Sequence, residues 1–221
     1  MIKAIFFDLD GVLVEAVRIH FEALNAALRE VSNTFIAPSE ESEFNGIPTK
    51  VKLEKLHKMG RIKDSDKQII WDKKQKRTMD VIGNVLTFDW DKVYLHTFTR
   101  GLGLKSVCVT NSITDTAKLM LEKSGQWSHM SFMVSNQMVN NPKPHGEGYI
   151  RAMIKVGAQP EECLIVEDSD KGLAAAKATG AHIWKVRNSH DVTLSGFKKA
   201  ICELFGDQYL HNLINQSVKK I

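Results

Sequence analysis

Cysteine is scarce in this chain, and its few cysteines show no pairing pattern. Among the 221 residues only Cys108, Cys163 and Cys202 are cysteines, an odd number without a Cys-x-x-Cys spacing. This argues against a disulfide framework and against a cysteine-based zinc site. Cys108 and Cys163 lie in apolar runs, which indicates buried, reduced thiols and a reducing compartment.

Long hydrophobic runs are also missing. The apolar run nearest the N-terminus ends at Asp8, so it is too short for a membrane span or for the core of a signal peptide. Hydrophobic residues make up 43% of the chain and charged residues 25%, which is typical of a globular protein with an ordinary core. We therefore expect a cytoplasmic protein without a membrane partner, and we expect it to be a monomer or a weak homodimer.

Acidic residues and aromatic rings are sparse in residues 48–78, where Lys and Arg dominate although the whole chain carries a net charge of only +4. This excess of Lys and Arg is typical of a solvated helical surface, or it could produce a positive electrostatic field that attracts an anionic substrate. Trp71 is the single Trp, Tyr or Phe of this stretch, which argues against stacking on nucleic acid bases. We therefore do not expect nucleic acid as a partner.

Short apolar runs recur along the chain, and most of them end in polar or acidic residues. They cover residues 3–7, 104–109, 131–134, 163–166 and 182–186. Segments with helical periodicity lie between them at residues 114–123, 146–156 and 171–179. This alternation predicts a parallel sheet that is buried on both faces. Ser112 or Thr114 is expected to cap the helix that begins near residue 114.

The first two predicted strands are separated by an interval that is too long for one crossover helix. Apolar residues in the segment 17–31 recur at three- and four-residue steps, which predicts an amphipathic helix near the start of the interval. We therefore predict a core domain from residues 1–14 and 89–221, and an inserted, mostly helical domain from residues 15–88.

Two acidic segments follow predicted strands. Asp8 and Asp10 come directly after the first strand, and Glu167 and Asp168 come after the fourth. Carboxylates this close together repel one another unless a cation or a proton separates them, and Mg²⁺ prefers oxygen ligands. The alternatives are a plain turn at the first segment and a helix N-cap at the second. Because ligands bind at the carboxyl ends of parallel strands, we favour a magnesium site.

Two further segments add a hydroxyl and a cation. Thr110 and Asn111 end the second predicted strand, where a hydroxyl and free backbone N–H groups can bind phosphate or simply cap a helix. Lys143 lies between two prolines, which fix its backbone and suit a positioned charge. A carboxylate nucleophile, a metal and a cation are together what phosphoryl transfer requires.

Four segments resemble the ordered motifs of the haloacid dehalogenase-like hydrolase superfamily, namely residues 6–13, 109–112, 143–144 and 166–169. The insert resembles the helical cap of its phosphoglycolate phosphatase and β-phosphoglucomutase branch. The resemblance implies an α/β fold in which a Rossmann-like parallel sheet core carries an inserted α-helical cap domain. It also implies Mg²⁺ as the cofactor and a small phosphorylated metabolite as the partner.

The resemblance assigns a role to each motif residue. Asp8 would attack phosphorus and become an aspartyl-phosphate, and Asp10 would protonate the leaving oxygen and then activate water. Thr110 and the Asn111 backbone N–H would bind the transferring phosphoryl group, and Lys143 would neutralise its charge.

The resemblance also implies the metal ligands. Mg²⁺ would be bound by Asp8, by the backbone carbonyl of Asp10, by Asp168, and by Glu167 either directly or through water. A true dehalogenase of the superfamily lacks the second acid of the first motif, so Asp10 favours phosphate chemistry.

Two residues of the insert are weaker candidates for substrate binding. The segment 44–50 resembles the specificity loop of the family, in which Lys50 would contact a second anionic group of the substrate. His20 matches a histidine of β-phosphoglucomutase-like members, but it also lies on the apolar face of the predicted helix, where we favour a role in packing or hydrogen bonding.

Three functions compete. A phosphatase is the interpretation that we favour, and a sugar-phosphate mutase that uses the same aspartyl-phosphate is the nearest alternative. A non-catalytic phosphate-binding regulator is the third, but a degenerate site should have lost a motif residue and none is missing here.

Overall fold

The computed structural model describes residues 1–44 and 46–218. Asn45, which belongs to the segment that resembles the specificity loop, lies outside the described residues. The chain forms two compact units. The first contains Met1–Glu15 and the chain from Thr87 onward, and the second contains Ala16–Leu86.

The first unit is built on a parallel sheet. Its strands are β1 (Ala4–Phe7), β2 (Lys105–Val109), β3 (Met130–Val134), β4 (Cys163–Glu167) and β5 (His182–Lys185). Over the described residues their order is β3-β2-β1-β4-β5, and every neighbouring pair is parallel. This confirms the predicted α/β fold with a Rossmann-like core. The central strands β1 and β4 are buried throughout, as expected for a sheet that is covered on both faces.

Helices connect the strands and form the second unit. In chain order they are α1 (Val17–Ser32), α2 (Glu41–Phe44), α3 (Thr49–Lys58), α4 (Asp66–Val85), α5 (Trp90–Gly101), α6 (Thr114–Lys123), α7 (Glu147–Val156), α8 (Asp170–Lys177), α9 (Leu194–Phe205) and α10 (Asp207–Val218). Among them, α1 to α4 belong to the second unit, which is therefore helical as predicted for the insert. No helix of the described ranges is both long enough and apolar enough to cross a membrane.

The core of the first unit joins one face of the sheet to α7 and α8. Phe6 and Ile165 of the sheet pack there with Tyr149 and Ala152 of α7 and with Ala175 of α8. This packing fixes both helices to the strands whose carboxyl ends carry the acidic residues.

The core of the second unit is formed by apolar side chains of α1, α3 and α4, including Leu28, Leu56 and Ile70. Several basic residues of this unit pair with acids of the same unit. Ion pairs join Lys55 to Glu43, Arg61 to Glu40, Lys67 to Glu54 and Asp64, and both Lys73 and Arg77 to Glu30.

The predicted cap of α6 is wrong. The N-cap residue is Ile113, which offers no side-chain hydrogen bond. The Ser112 hydroxyl instead donates to Asp10, and the Thr114 hydroxyl contacts Ser135. The hydroxyls of Ser112 and Thr114 therefore contact other segments of the chain.

Candidate active site

Three neighbouring strands bring the predicted residues to one edge of the sheet. Phe7 pairs with Cys108 of β2 and with Val166 of β4, so the residues that follow these strands meet. Asp8 continues the ladder, because its N–H donates to the Val166 carbonyl over 3.0 Å. The chain first adds β2 and β3 on one side of β1 and then β4 and β5 on the other. The carboxyl ends of the strands at such a switch point are the usual ligand position in an open parallel sheet.

A buried lysine lies between two carboxylates. Lys143 Nζ is 2.6 Å from Asp8 Oδ1 and 2.6 Å from Glu167 Oε1. Burial lowers the pKa of the Lys143 ammonium, but the two carboxylates outweigh it and hold this pKa above its ordinary value. Burial raises the pKa of Asp8, as do Glu167 and Asp10, while Lys143 opposes the shift. Burial wins this balance and holds the pKa of Asp8 well above its ordinary value, so Lys143 only partly offsets the cost of ionising the enclosed carboxyl.

A third carboxylate completes an acidic cluster. Oxygens of Asp8, Glu167 and Asp168 lie within 4.8 Å of one another. Burial, and then the charge of Glu167, raises the pKa of Asp168 to about 6. Asp168 Oδ1 is buried and has no hydrogen-bond partner among the described residues. One ammonium group does not balance these carboxylates, and a buried oxygen without a donor is suited to a cation. The donor set thus fits Mg²⁺.

The turn after β1 positions Asp10 and leaves room for Asp168. Gly11 has a φ of +88°, and its N–H donates to the Val14 carbonyl over 2.8 Å. A Cβ at Gly11 would lie 2.2 Å from Asp168 Oδ2, so a glycine is required here on two counts. Asp10 Oδ2 accepts a hydrogen bond of 2.8 Å from the Ser112 hydroxyl.

Thr110 and Asn111 lie beside this cluster, but their side chains make contacts that the sequence did not predict. Thr110 Oγ1 accepts from the Ser112 N–H over 2.9 Å. The Asn111 amide pairs with the backbone of Lys143, donating to its carbonyl and accepting from its N–H, each over 3.1 Å. Asn111 therefore fastens the segment that carries the lysine.

Tyr149 was missed by the sequence analysis. Its hydroxyl donates to Glu167 Oε1 over 2.6 Å, and its side chain is fully buried. The only signal in the sequence is a tyrosine on the apolar face of the helix after Lys143, and such a residue is usually assigned to the core.

Lys50 and His20 belong to the second unit. Lys50 Nζ lies 5.8 Å from the centre of the Trp71 ring. His20 Nδ1 is 3.0 Å from Lys74 Nζ, and Lys74 is buried. The contacts of His20 match the hydrogen-bonding alternative considered for it, and substrate binding by either residue stays a prediction.

Comparison with known proteins places this geometry in a family. Residues 5–186 match the family described as haloacid dehalogenase-like hydrolase. A phosphorylated carbohydrates phosphatase from Thermotoga maritima is 27% identical over 185 residues, which cover 80% of this chain and 82% of that protein. A phosphoglycolate phosphatase from Aquifex aeolicus is 24% identical over 179 residues, which cover 80% of this chain and 81% of that protein.

A solved structure shares the fold. The crystal structure of a β-phosphoglucomutase from Clostridium difficile matches with a TM-score of 0.78 at 18% identity, covering 92% of this chain and 99% of that chain. The family match runs from β1 to the end of β5, so it includes the acidic cluster, the Lys143 segment and the insert. The chain therefore belongs to the haloacid dehalogenase-like hydrolase family.

Proposed function

We propose that this protein is a Mg²⁺-dependent phosphatase that hydrolyses a small phosphorylated metabolite, such as a sugar phosphate, through an aspartyl-phosphate at Asp8. The observation that carries the proposal is the short contact between Asp8 and Lys143 beside two further carboxylates. The phosphatase names of the relatives from Thermotoga maritima and Aquifex aeolicus support the same activity.

The first chemical step uses Asp8 and Asp10. An Asp8 carboxylate oxygen forms a bond to phosphorus while the ester P–O bond breaks, and the leaving oxygen takes a proton from Asp10. The Ser112 hydroxyl holds the Asp10 carboxyl at its Oδ2, so that the acid has a defined orientation. In the second step Asp10 takes a proton from water, which attacks phosphorus and releases inorganic phosphate and the Asp8 carboxylate.

Cations must contact the negatively charged phosphoryl oxygens during both chemical steps. Lys143 supplies one charge within contact of Asp8, and its backbone is fastened by the Asn111 amide. Asp8, Glu167, Asp168 and the Asp10 carbonyl would hold Mg²⁺. The bound metal would neutralise developing charge on the phosphoryl group. Thr110 and the Asn111 N–H would bind the remaining oxygens.

A sugar-phosphate mutase is the second candidate. It needs the same aspartyl-phosphate but returns the phosphoryl group to a second hydroxyl of the substrate and not to water. The similarity of fold to the β-phosphoglucomutase from Clostridium difficile supports keeping it as a candidate. Phosphate release supports the phosphatase, and an isomeric sugar phosphate supports the mutase.

The test is a phosphate-release screen over a panel of phosphorylated metabolites with Mg²⁺, using wild type, Asp8→Asn and Asp115→Asn. Asp115 is exposed on α6 and controls for the loss of a carboxylate as such. We expect the wild type and Asp115→Asn to release phosphate from at least one ester, and Asp8→Asn to release none. Equal release by wild type and Asp8→Asn would contradict the assignment of the nucleophile.

A further inference from the structure

Tyr149 is a buried ionisable side chain next to the acidic cluster, and it has no role in the proposed chemical steps. It lies on α7, which packs against the sheet through the core of the first unit, and none of its surface is exposed. A buried tyrosine hydroxyl requires a partner, and here the partner is one of the candidate metal ligands.

The hydroxyl holds one particular oxygen of Glu167. Glu167 Oε1 accepts from Tyr149 Oη over 2.6 Å and from Lys143 Nζ over 2.6 Å. Glu167 Oε2 makes longer contacts, accepting from the Asp168 N–H at 3.2 Å and from the Ser169 hydroxyl at 3.3 Å. The two short hydrogen bonds are the stronger ones, so Oε1 is committed to the protein and the orientation of the carboxylate is fixed from that side.

The ring of Tyr149 also contacts the lysine. Lys143 Nζ lies 4.8 Å from the centre of the ring, a distance at which the aromatic face attracts a cation. One side chain therefore contacts both members of the buried ion pair, with its hydroxyl on Glu167 and its ring against Lys143.

The hydroxyl is not explained by packing. A phenylalanine would fill the same core position and keep the same ring face toward Lys143. It would leave Glu167 Oε1 with the lysine as its single short donor. The hydroxyl of Tyr149 thus orients the Glu167 carboxylate, and the packing of the core does not require it.

We propose that Tyr149 is a positioning residue of the site, which acts through Glu167 by holding Oε1 so that the carboxylate keeps its place in the acidic cluster and Lys143 keeps its place beside Asp8. This inference rests on the proposed function, since it assigns a role within the same site. Partners that orient metal ligands commonly contribute a factor of about 10 to 100 to metal affinity or activity.

The experiment compares Tyr149→Phe with Tyr209→Phe. The Tyr209 hydroxyl accepts a hydrogen bond of 2.6 Å from the Ile2 N–H, so both substitutions remove one hydroxyl with a short hydrogen bond and only one of them is at the site. Mg²⁺ is titrated into each metal-free protein by calorimetry, and phosphate release is measured separately on the ester that the wild type hydrolyses.

We expect Tyr149→Phe to bind Mg²⁺ about 10-fold more weakly and to have a kcat at least about 10-fold lower, while Tyr209→Phe matches the wild type. Glu167→Gln and the double variant extend the test. If Tyr149 acts through Glu167, adding Tyr149→Phe to Glu167→Gln should change Mg²⁺ affinity no further.

Wild-type Mg²⁺ affinity and turnover in Tyr149→Phe would overturn the inference while leaving the proposed function intact. Equal losses in Tyr149→Phe and Tyr209→Phe, additive effects in the double variant, or a wild type that binds no Mg²⁺ would also overturn it. If instead the wild type releases phosphate from no ester, the proposed function fails, and the Mg²⁺ titration still decides whether Tyr149 positions Glu167.

Discussion

Glu167 is the most enclosed carboxylate of the acidic cluster, and its enclosure depends on a glycine. The side chain is fully buried, and both of its oxygens accept hydrogen bonds. Gly172 lies in the first turn of the following helix α8. A Cβ at Gly172 would lie 1.9 Å from Glu167 Oε1 and 2.0 Å from its Oε2. The Glu167 carboxylate therefore occupies the space that a side chain at position 172 would fill.

Gly172→Ala should displace the Glu167 carboxylate and break its short contacts with Lys143 and Tyr149. Because a displacement of about 1 Å in a catalytic site can cost about 100-fold in rate, we expect phosphate release to fall by about that factor. The same variant should bind Mg²⁺ more weakly, which titration calorimetry measures directly.

Gly101→Ala is the matched control, because Gly101 is also helical and a Cβ there would meet nothing within 4 Å. Alanine is favoured over glycine in a helix, so this variant should keep full activity and gain up to about 1 kcal/mol of stability. Full activity in Gly172→Ala would show that Glu167 does not need its observed position.

At the scale of elements, side-chain amides fasten loops to helices and strands. Asn25 of α1 accepts from the Ile36 N–H over 2.7 Å and donates to the Ile36 carbonyl over 2.9 Å, and both residues are buried. Asn111 makes the same pair of contacts with the backbone of Lys143. In each case an amide replaces the backbone partner that an irregular segment lacks.

Asn25→Ala should destabilise the second unit by about 3 kcal/mol, because it leaves two buried backbone groups of Ile36 without partners. Denaturant unfolding measures the loss, and hydrogen exchange of the Ile36 amide should become faster. Asn84→Ala is the control, since the exposed Asn84 side chain donates to the Asp80 carbonyl of its own helix α4. We expect it to change stability by less than about 0.5 kcal/mol. A similar loss in both variants would contradict the fastening role of Asn25.

The elements that the sequence predicts well are those whose local residue pattern is sufficient to identify them. β1 and β4 are short apolar runs that end in acids, so both the strands and the position of Asp8 and Glu167 follow from the local pattern. The helix α4 has a weak apolar stripe for its 20 residues, and only the tertiary structure defines it.

Side-chain partners could not be predicted in the same way. The contact of Tyr149 with Glu167 joins α7 to the end of β4, and the contact of Ser112 with Asp10 joins two different strand ends. Such partners depend on which helix covers which strand, and the apolar periodicity of α7 does not encode that. For the same reason the predicted hydroxyl cap of α6 was wrong.

At the scale of the whole molecule, a buried polar network supports the turn that follows β1. His96 of α5 contacts Gln126 Oε1 over 3.1 Å, and Gln126 Nε2 donates to the Leu13 carbonyl over 3.0 Å. Because Gln126 Oε1 can only accept, His96 Nε2 carries the proton of a neutral imidazole. His96 Nδ1 is buried without a hydrogen-bond partner among the described residues, so a second proton there would have no acceptor.

This network should make stability depend on pH. Burial, opposed only in part by the hydrogen bond to Gln126, lowers the pKa of His96 from 6.5 to about 4. The unfolded chain therefore binds the proton more tightly, and the free energy of unfolding falls as the pH drops below about 6.5 until it levels off near pH 4. Between pH 7 and pH 5 this one group should remove about 2 kcal/mol.

Denaturant unfolding of wild type and His96→Gln at pH 7 and pH 5 measures the contribution of His96 to the pH dependence of stability. We expect His96→Gln to lose about 2 kcal/mol less than the wild type between pH 7 and pH 5. His211→Gln removes an exposed imidazole and controls for the substitution itself. Identical pH dependence in wild type and His96→Gln would contradict a neutral, buried His96.

The proposed mechanism requires that Asp8 becomes phosphorylated during turnover. Borohydride reduces an aspartyl-phosphate to homoserine, so the wild type quenched with borohydride during turnover with Mg²⁺ should yield a peptide with homoserine at position 8 by mass spectrometry. Asp8→Asn treated in the same way should yield none and should release no phosphate. An unmodified Asp8 in a wild type that is actively releasing phosphate, or modification at another carboxylate, would contradict the account.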